Sequence, residues 1–325
     1  MKRVFKILGY VLAGLVALLL CGWLYLELTW QKNYASMPLP NIAASKDPEI
    51  IARGDYLVHA VAHCSICHQP AEGLKAGNAG GADLIGGFEW QAGPFGNFYA
   101  ANITSDPQTG VGALSDGELA RIIRHGIRKD GTQAAFMSIA VGPMADEDLM
   151  AVISYLRTLP AIHHSNPPDE VKIIGKLVMK KFEPRQGPPP KWVPPGGISV
   201  ERGEYLANGP GACVGCHTEA DPMDGFKPIG APFSGNPMAD PDHLDPNFEI
   251  VAPNLTPDQE TGHLAQWSED AFVARFKGGS VFPGSKMPWP NFANLTEDDV
   301  RSLYRYLRTL PPTKKAIGPT RRPKS

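Results

Sequence analysis

One pattern occurs twice in this chain and limits its fold more than any other feature. Arg53-Gly54-Asp55-Tyr56-Leu57 leads into Cys64-Ser65-Ile66-Cys67-His68, and Arg202-Gly203-Glu204-Tyr205-Leu206 leads into Cys213-Val214-Gly215-Cys216-His217. C-x-x-C-H is the attachment signature of c-type haem, in which two thiols add to porphyrin vinyl groups and the adjacent histidine ligates iron. The two copies are offset by 149 residues, flanks included, so the chain reads as a duplication carrying two covalent haems. A thioredoxin-like pair or half a zinc site is the competing reading of C-x-x-C. The histidine after each second cysteine, in matching context both times, argues against it.

A chain of 325 residues has room for two such units, each able to bury a core. Gly (34) and Pro (32) are abundant, which suits small helical units joined by shaped loops, and no alternating apolar run is long enough to demand a large sheet. Four of the five cysteines fall in the two motifs and Cys21 lies in an N-terminal apolar run, leaving no pair for a structural disulfide. The formal charge of −2 lacks the basic footprint that nucleic-acid binding requires.

Residues 1–30 begin with Lys2, Arg3 and Lys6 and continue in an apolar run whose single acid is Glu27. The run is long enough to span a bilayer, and Trp23, Tyr25 and Trp30 cluster where an interfacial aromatic belt sits. A cleaved signal peptide has a shorter apolar core and small residues at its end. An uncleaved anchor is therefore expected, with its N-terminus cytoplasmic by the positive-inside rule and the remaining chain across the membrane. Residues 31–48 read as an extended spacer, 49–160 as the first unit, 161–198 as a proline-rich linker with a short basic helix near 171–182, 199–312 as the second unit, and 313–325 as a mobile basic tail.

Within each unit an entry helix should run straight into the cysteine motif. A middle helix follows, capped by Ser115 with Glu118 in the first unit and opened by Ser268 in the second. The last helices start near Asp146 and Thr296 and end in the identical Tyr-Leu-Arg-Thr-Leu-Pro of residues 155–160 and 306–311. Gln69 to Ala101 reads as loop.

A histidine-bound haem iron leaves its sixth position to be assigned, and that ligand separates electron carriers from catalysts. Met287 follows His217 by 70 residues and Met137 follows His68 by 69, whereas Met144 lies 76 residues on. Spacing therefore selects Met137 and Met287. Methionine also fills core gaps, and Met150, Met179, Met223 and Met238, without counterparts in the opposite repeat, read as structural or surface residues. Bis-histidine ligation is the rival. His63 is too close to its own motif, and His125 has no partner in the second unit, where Phe276 or Lys277 stands. His59, His163, His164, His243 and His263 read as surface groups. Asn102-Ile103-Thr104 and Asn254-Leu255-Thr256, each followed by Thr-Gly, form paired turns between attachment site and methionine, placed to wall a haem.

With these residues in view the chain resembles the cytochrome c subunits of membrane-bound bacterial alcohol, aldehyde and gluconate dehydrogenases and related dihaem proteins. R-G-[DE]-Y-L before C-x-x-C-H, the N-[IL]-T loop, Met287-Pro288 and the Y-L-R-T-L-P helix carry the resemblance, over roughly residues 50–160 and 198–312. It implies an all-α fold of two tandem class I cytochrome c domains behind a transmembrane helix. Two c-type haems would be held by Cys64, Cys67, His68, Met137, Cys213, Cys216, His217 and Met287, with iron bound by the two histidines and two methionines. It implies single-electron transfer, without catalysis by the chain itself, from a periplasmic dehydrogenase toward quinone or a terminal oxidase. Those dehydrogenase subunits usually carry three haem motifs and this chain has two. A dihaem enzyme of peroxidase or thiosulfate-oxidising type, with one labile sixth ligand, is the alternative.

Overall fold

The computed structural model describes residues 2–70, 83–134, 137, 141, 143–185, 187–242, 244–280, 282 and 284–324. Helix α1, Lys2–Thr29, is long and apolar enough to cross a membrane, and only Leu26 in it is buried. The spacer after it is extended and pinned to the body. Tyr34 N–H donates to the Gly131 carbonyl at 2.8 Å, and the buried Arg121 guanidinium donates to the Met37 carbonyl at 3.2 Å.

Each repeat is built on two crossing helices. In the first, α2 (Pro48–Tyr56) lies against α5 (Asp146–Leu156), with α3 (Cys64–Cys67) and α4 (Asp116–His125) between them in sequence. In the second, α7 (Val200–Asn208) lies against α11 (Glu297–Thr309), with α8 (Cys213–His217), α9 (Glu269–Lys277) and α10 (Trp289–Phe292) between. Gly54 and Gly203 make the crossings possible. A Cβ at Gly54 would overlap the Ala151 carbonyl, and one at Gly203 the Ser302 carbonyl, so only glycine admits such close helix axes. Arg53 pairs with Asp148 at 2.9 Å across one crossing, and Arg202 pairs with Asp299 across the other.

Helix ends follow their local chemistry. Ser115 Oγ accepts from Glu118 N–H while Glu118 accepts from Ser115 N–H at 2.7 Å, a complete capping box. Gly126, at φ 68°, closes that helix in the left-handed region. Ser115→Ala should therefore cost about 1 kcal/mol, read as a lowered denaturant midpoint with unchanged slope.

The structure departs from the sequence expectations in three places. The chain is not all-α. Among the described residues β1 (Glu89–Gln91), β2 (Gly96–Tyr99) and β3 (Glu170–Val171) form one small sheet. β4 (Ala220–Asp221) pairs β5 (Lys227–Pro228), and β6 (Asn236–Pro241), β7 (Phe248–Ala252) and β8 (Arg321–Pro323) form a third sheet. The segment expected to be loop, Gln69 to Ala101, thus contains a hairpin; its residues 71–82 lie outside the described set. The tail does not hang free. β8 adds an edge strand to β7, Arg321 pairs with the buried Asp242 at 2.8 Å, and Arg322 with Glu249 at 2.6 Å. Arg321 and Arg322 meet acids of the 236–252 hairpin, and Lys315 pairs with Glu219 at 2.6 Å, which fixes it. Finally, the entry helices do not run straight into the motifs. The first passes through a π turn, Leu57–Val61, and both segments then break at a left-handed residue one position before the first cysteine, His63 at φ 43° and Ala212 at φ 51°. Non-glycine residues there cost roughly 1–2 kcal/mol. The same strain at the same repeat position redirects the cysteine turn away from the entry helix.

The two repeats share one apolar core. Leu57, Val61, Leu149 and Ile153 from the first are continuous with Leu206, Phe292, Val300 and Leu307 from the second.

Candidate haem-attachment sites

Cys64 and Cys213 each open a single helical turn that also carries Cys67 or Cys216, so both sulfurs of a motif project from one turn ahead of its histidine. All four are free thiols. Burial pushes the Cys64 and Cys213 thiols up to about 12, keeping them neutral.

The histidines are oriented alike. His68 Nδ1 donates to the Ala101 carbonyl at 2.7 Å and His217 Nδ1 donates to the Pro253 carbonyl at 3.0 Å. A carbonyl accepts only, so the proton sits on Nδ1 and the Nε2 lone pair is left for a metal, the arrangement by which iron- and zinc-binding histidines are oriented. Burial lowers the pKa of both rings, that of His217 to about 4, so the imidazoles are neutral as ligation requires. Paired thiols, a neutral histidine with Nδ1 engaged, and the same set in both repeats fit a covalently held haem.

Those acceptor carbonyls belong to the Asn-x-Thr turns. Asn102 Oδ1 accepts from Thr104 N–H at 2.9 Å and from its hydroxyl at 2.7 Å, and Asn102 Nδ2 donates to Thr109 Oγ1 at 3.0 Å and the Ile162 carbonyl at 2.8 Å. In the second repeat Asn254 binds Thr256 at 2.9 and 2.8 Å, Thr261 at 3.1 Å and the Thr313 carbonyl at 2.8 Å. Both asparagines are fully buried. Each turn is thereby fastened to the chain leaving its last helix, and the residue preceding the asparagine presents its carbonyl to the histidine. The turns hold the imidazoles.

Met137 and Met287 are half-buried against the apolar core, whereas Met144 is buried within it. Met137 N–H donates to the Ala134 carbonyl at 2.9 Å, and the Met287 carbonyl accepts from Trp289 N–H at 2.8 Å. Phe136 and Ser138, beside Met137, lie outside the described residues, as does His243. Other histidines are engaged elsewhere: His125 Nδ1 with the Arg185 carbonyl at 2.9 Å, and His59 Nε2 with Tyr155 Oη at 2.9 Å, so His59 is half-buried instead of a surface group.

The two motifs adjoin. Burial and, after it, the neighbouring Cys216 push the Cys67 thiol up to about 11. Asn291, buried four residues beyond Met287, donates to Ser65 Oγ inside the first motif at 2.8 Å and to the His59 carbonyl at 2.5 Å. Phe292 meets the His63 ring edge-on with centroids 5.4 Å apart. The methionine segment of the second repeat thus rests on the cysteine turn of the first.

Two tyrosines cross between the repeats, a role that reading the sequence missed. Tyr56 donates to Asp299 at 2.5 Å and accepts from Thr296 N–H at 3.1 Å; Tyr205 donates to Asp148 at 2.8 Å and accepts from Ala145 N–H at 3.2 Å. The Arg-Gly-x-Tyr signature therefore packs its own repeat through Arg and Gly and grips the other through Tyr. Burial, then the facing Asp299, pushes the Tyr56 hydroxyl up to about 12, so it stays a donor.

No family model matches the chain. It is 31% identical over 296 residues to the cytochrome c subunit of the quinone alcohol dehydrogenase of Komagataeibacter europaeus, an alignment covering 84% of this chain and 58% of the relative. Over 285 residues it is 27% identical to the gluconate 2-dehydrogenase cytochrome c subunit of Pantoea cypripedii, covering 80% and 59%. A diheme cytochrome c-type protein of Cereibacter sphaeroides is 25% identical over 284 residues, covering 82% of this chain and 90% of that one. The chain spans a little over half the length of the two dehydrogenase subunits.

Proposed function

We propose that this chain, a homologue of the cytochrome c subunits of bacterial membrane dehydrogenases, is a membrane-anchored dihaem cytochrome that passes single electrons between a dehydrogenase and a quinone- or oxidase-linked acceptor. Residues 49–160 and 199–312 each form one class I cytochrome c domain. Cys64 and Cys67 attach one haem and Cys213 and Cys216 the other; His68 with Met137, and His217 with Met287, are the axial ligands. Bound haem supplies a reversible one-electron change at iron. The protein's part is to attach, orient and shield. Ala101 and Pro253 hold the histidines in the ligating tautomer, the Asn-x-Thr turns fix those carbonyls, and the shared core limits water around both sites.

The observation that carries this reading is the matched pair of histidine–carbonyl hydrogen bonds at the two motifs. The contact of Asn291 with Ser65 supports transfer from one domain to the other, because it brings the second methionine segment against the first attachment turn. Helix α1 stays attached as an anchor and the bulk of the chain lies in the periplasm.

Absorption and resonance Raman spectra of the oxidised protein test the ligands. Met137→Ala and Met287→Ala should each convert one haem from six-coordinate low spin to high spin and leave the other unchanged. A five-coordinate haem in the parent protein would favour a peroxidase-like enzyme and overturn the carrier reading. A silent Met137→Ala with a perturbed Met144→Ala would move the first ligand to Met144.

A further inference from the structure

Glu27 is the one acid in the apolar N-terminal run, and the structure gives it a partner from far along the chain. Lys176, on α6 (Ile173–Lys181), pairs with both Glu27 carboxylate oxygens at 2.5 and 2.6 Å. Lys180 donates to Thr29 Oγ1 at 2.7 Å and lies 4.2 Å from the centre of the Tyr25 ring, while Lys176 lies 5.8 Å from that of Trp30. Thus the linker helix is clasped to the last turns of α1. At 1.5 Å per residue, the 28 residues of α1 extend about 42 Å, more than the ~30 Å of a bilayer's hydrocarbon. Its last turns, with Tyr25 and Trp30, therefore emerge at headgroup level, and α6 is held there with them.

The outward face of α6 is apolar over its first two turns and ends in the exposed Lys181, which donates to the Met223 carbonyl at 3.0 Å. Ile173, Ile174 and Leu177 are 57%, 40% and 47% exposed, on the side away from the buried Gly175 and Val178. Gly175 seats the helix on the body, since a Cβ there would overlap the Phe95 carbonyl. The inward face is packed, Lys176 and Lys180 hold the anchor, and three large aliphatic side chains are left at the level of the membrane surface. Interfacial helices have this composition: an apolar face entering the boundary between headgroups and acyl chains, with lysines beside it.

We propose that α6 is a membrane-surface helix that inserts Ile173, Ile174 and Leu177 into the leaflet from which α1 emerges, using Lys176–Glu27 and Lys180 to fix the haem domains against the bilayer. This rests on α1 being a retained anchor. It gives the cytochrome two membrane contacts and a defined tilt where a single tether would leave it free to swing.

The test uses the full haem-loaded chain in vesicles of phosphatidylcholine and phosphatidylglycerol containing a phospholipid with a photoactivatable carbene precursor in its acyl chain, with adducts mapped by mass spectrometry. Adducts on residues 4–24 and on 173–177, but not on 297–309, are expected. Ile173→Glu with Leu177→Glu should remove the second set and keep the first. Lys176→Gln should lower the ratio of the second set to the first several-fold, and an unchanged ratio overturns the clasp. Adducts on 4–24 alone leave the anchor standing and overturn the surface helix, whose apolar face would then belong to a protein partner. A membrane-extracted chain beginning near residue 30 overturns anchor and surface helix together.

Discussion

Asp299→Ala is expected to destabilise the protein by about 3–5 kcal/mol, the range for removing one member of a buried ion pair. The carboxylate is 1% exposed and serves three groups: Arg202 through Nε and Nη2, and Tyr56 of the other repeat. Without it the Arg202 guanidinium, 8% exposed, keeps only the Pro194 carbonyl at 3.2 Å among the described residues, and a cation stranded in that setting accounts for most of the cost. Loss of the Tyr56 acceptor adds on the order of 1 kcal/mol. Asp148→Ala should cost less although it breaks the equivalent contacts, because Arg53 is 26% exposed and can recover water. Guanidinium denaturation followed by far-ultraviolet circular dichroism gives both values, and equal losses would show that Arg202 is not the discriminating group. Adding Tyr56→Phe to Asp299→Ala should cost only about 1 kcal/mol more, since the Tyr56–Asp299 bond is already gone and only the bond from Thr296 N–H to the Tyr56 hydroxyl remains to be lost.

Gly203→Ala should cost on the order of 3 kcal/mol, the upper end of the usual overpacking range. Replacing an unstrained helical glycine by alanine ordinarily gains about 0.4–1 kcal/mol by restricting the unfolded chain. That gain cannot offset a methyl that would overlap the Ser302 carbonyl and press on Tyr306 Cβ at 2.8 Å, because the carbonyl is part of α11 and moves only if the helices separate. Gly54→Ala should behave the same way against Ala151 and Tyr155. Gly196→Ala is the control: nothing lies within 4 Å of its Cβ position, so its effect should stay within about ±0.5 kcal/mol. A neutral Gly203→Ala would mean that the crossing of α7 and α11 can open without penalty.

Features decided by neighbours in sequence could be read in advance, and those decided by distant partners could not. Ser115, Ser268 and Thr296 cap the helices they were expected to cap, since a cap involves only the next three residues. The two cysteine turns and their histidines carry their chemistry in five consecutive positions. By contrast, the 236–252 hairpin has a register shift between Asn236 and Asp240, so alternation does not mark it, and the tail is ordered by acids some 75 residues earlier in the chain. The breaks at His63 and Ala212 run against the backbone preference of both residues and were hidden for that reason. Glu27 was visible as a lone acid, but its partner Lys176 is separated from it by 149 positions. The repeat showed that Tyr56 and Tyr205 are equivalent; only the packing of one repeat on the other shows what they hold.

The crossed tyrosines carry a consequence for how such a chain arises. Tyr56 reaches the N-terminus of α11 as Tyr205 reaches that of α5, so the same patch on each half meets the same patch on its neighbour. This is the isologous contact of a two-fold symmetric dimer, realised within one polypeptide. Either half made alone would expose a tyrosine, an aspartate and an apolar face complementary to a second copy of itself. Joining the halves in one chain replaces a concentration-dependent association by a fixed one, and frees the halves to diverge where side chains face their own half, as at His59, bound to Tyr155, and its counterpart Asn208, bound to Tyr306.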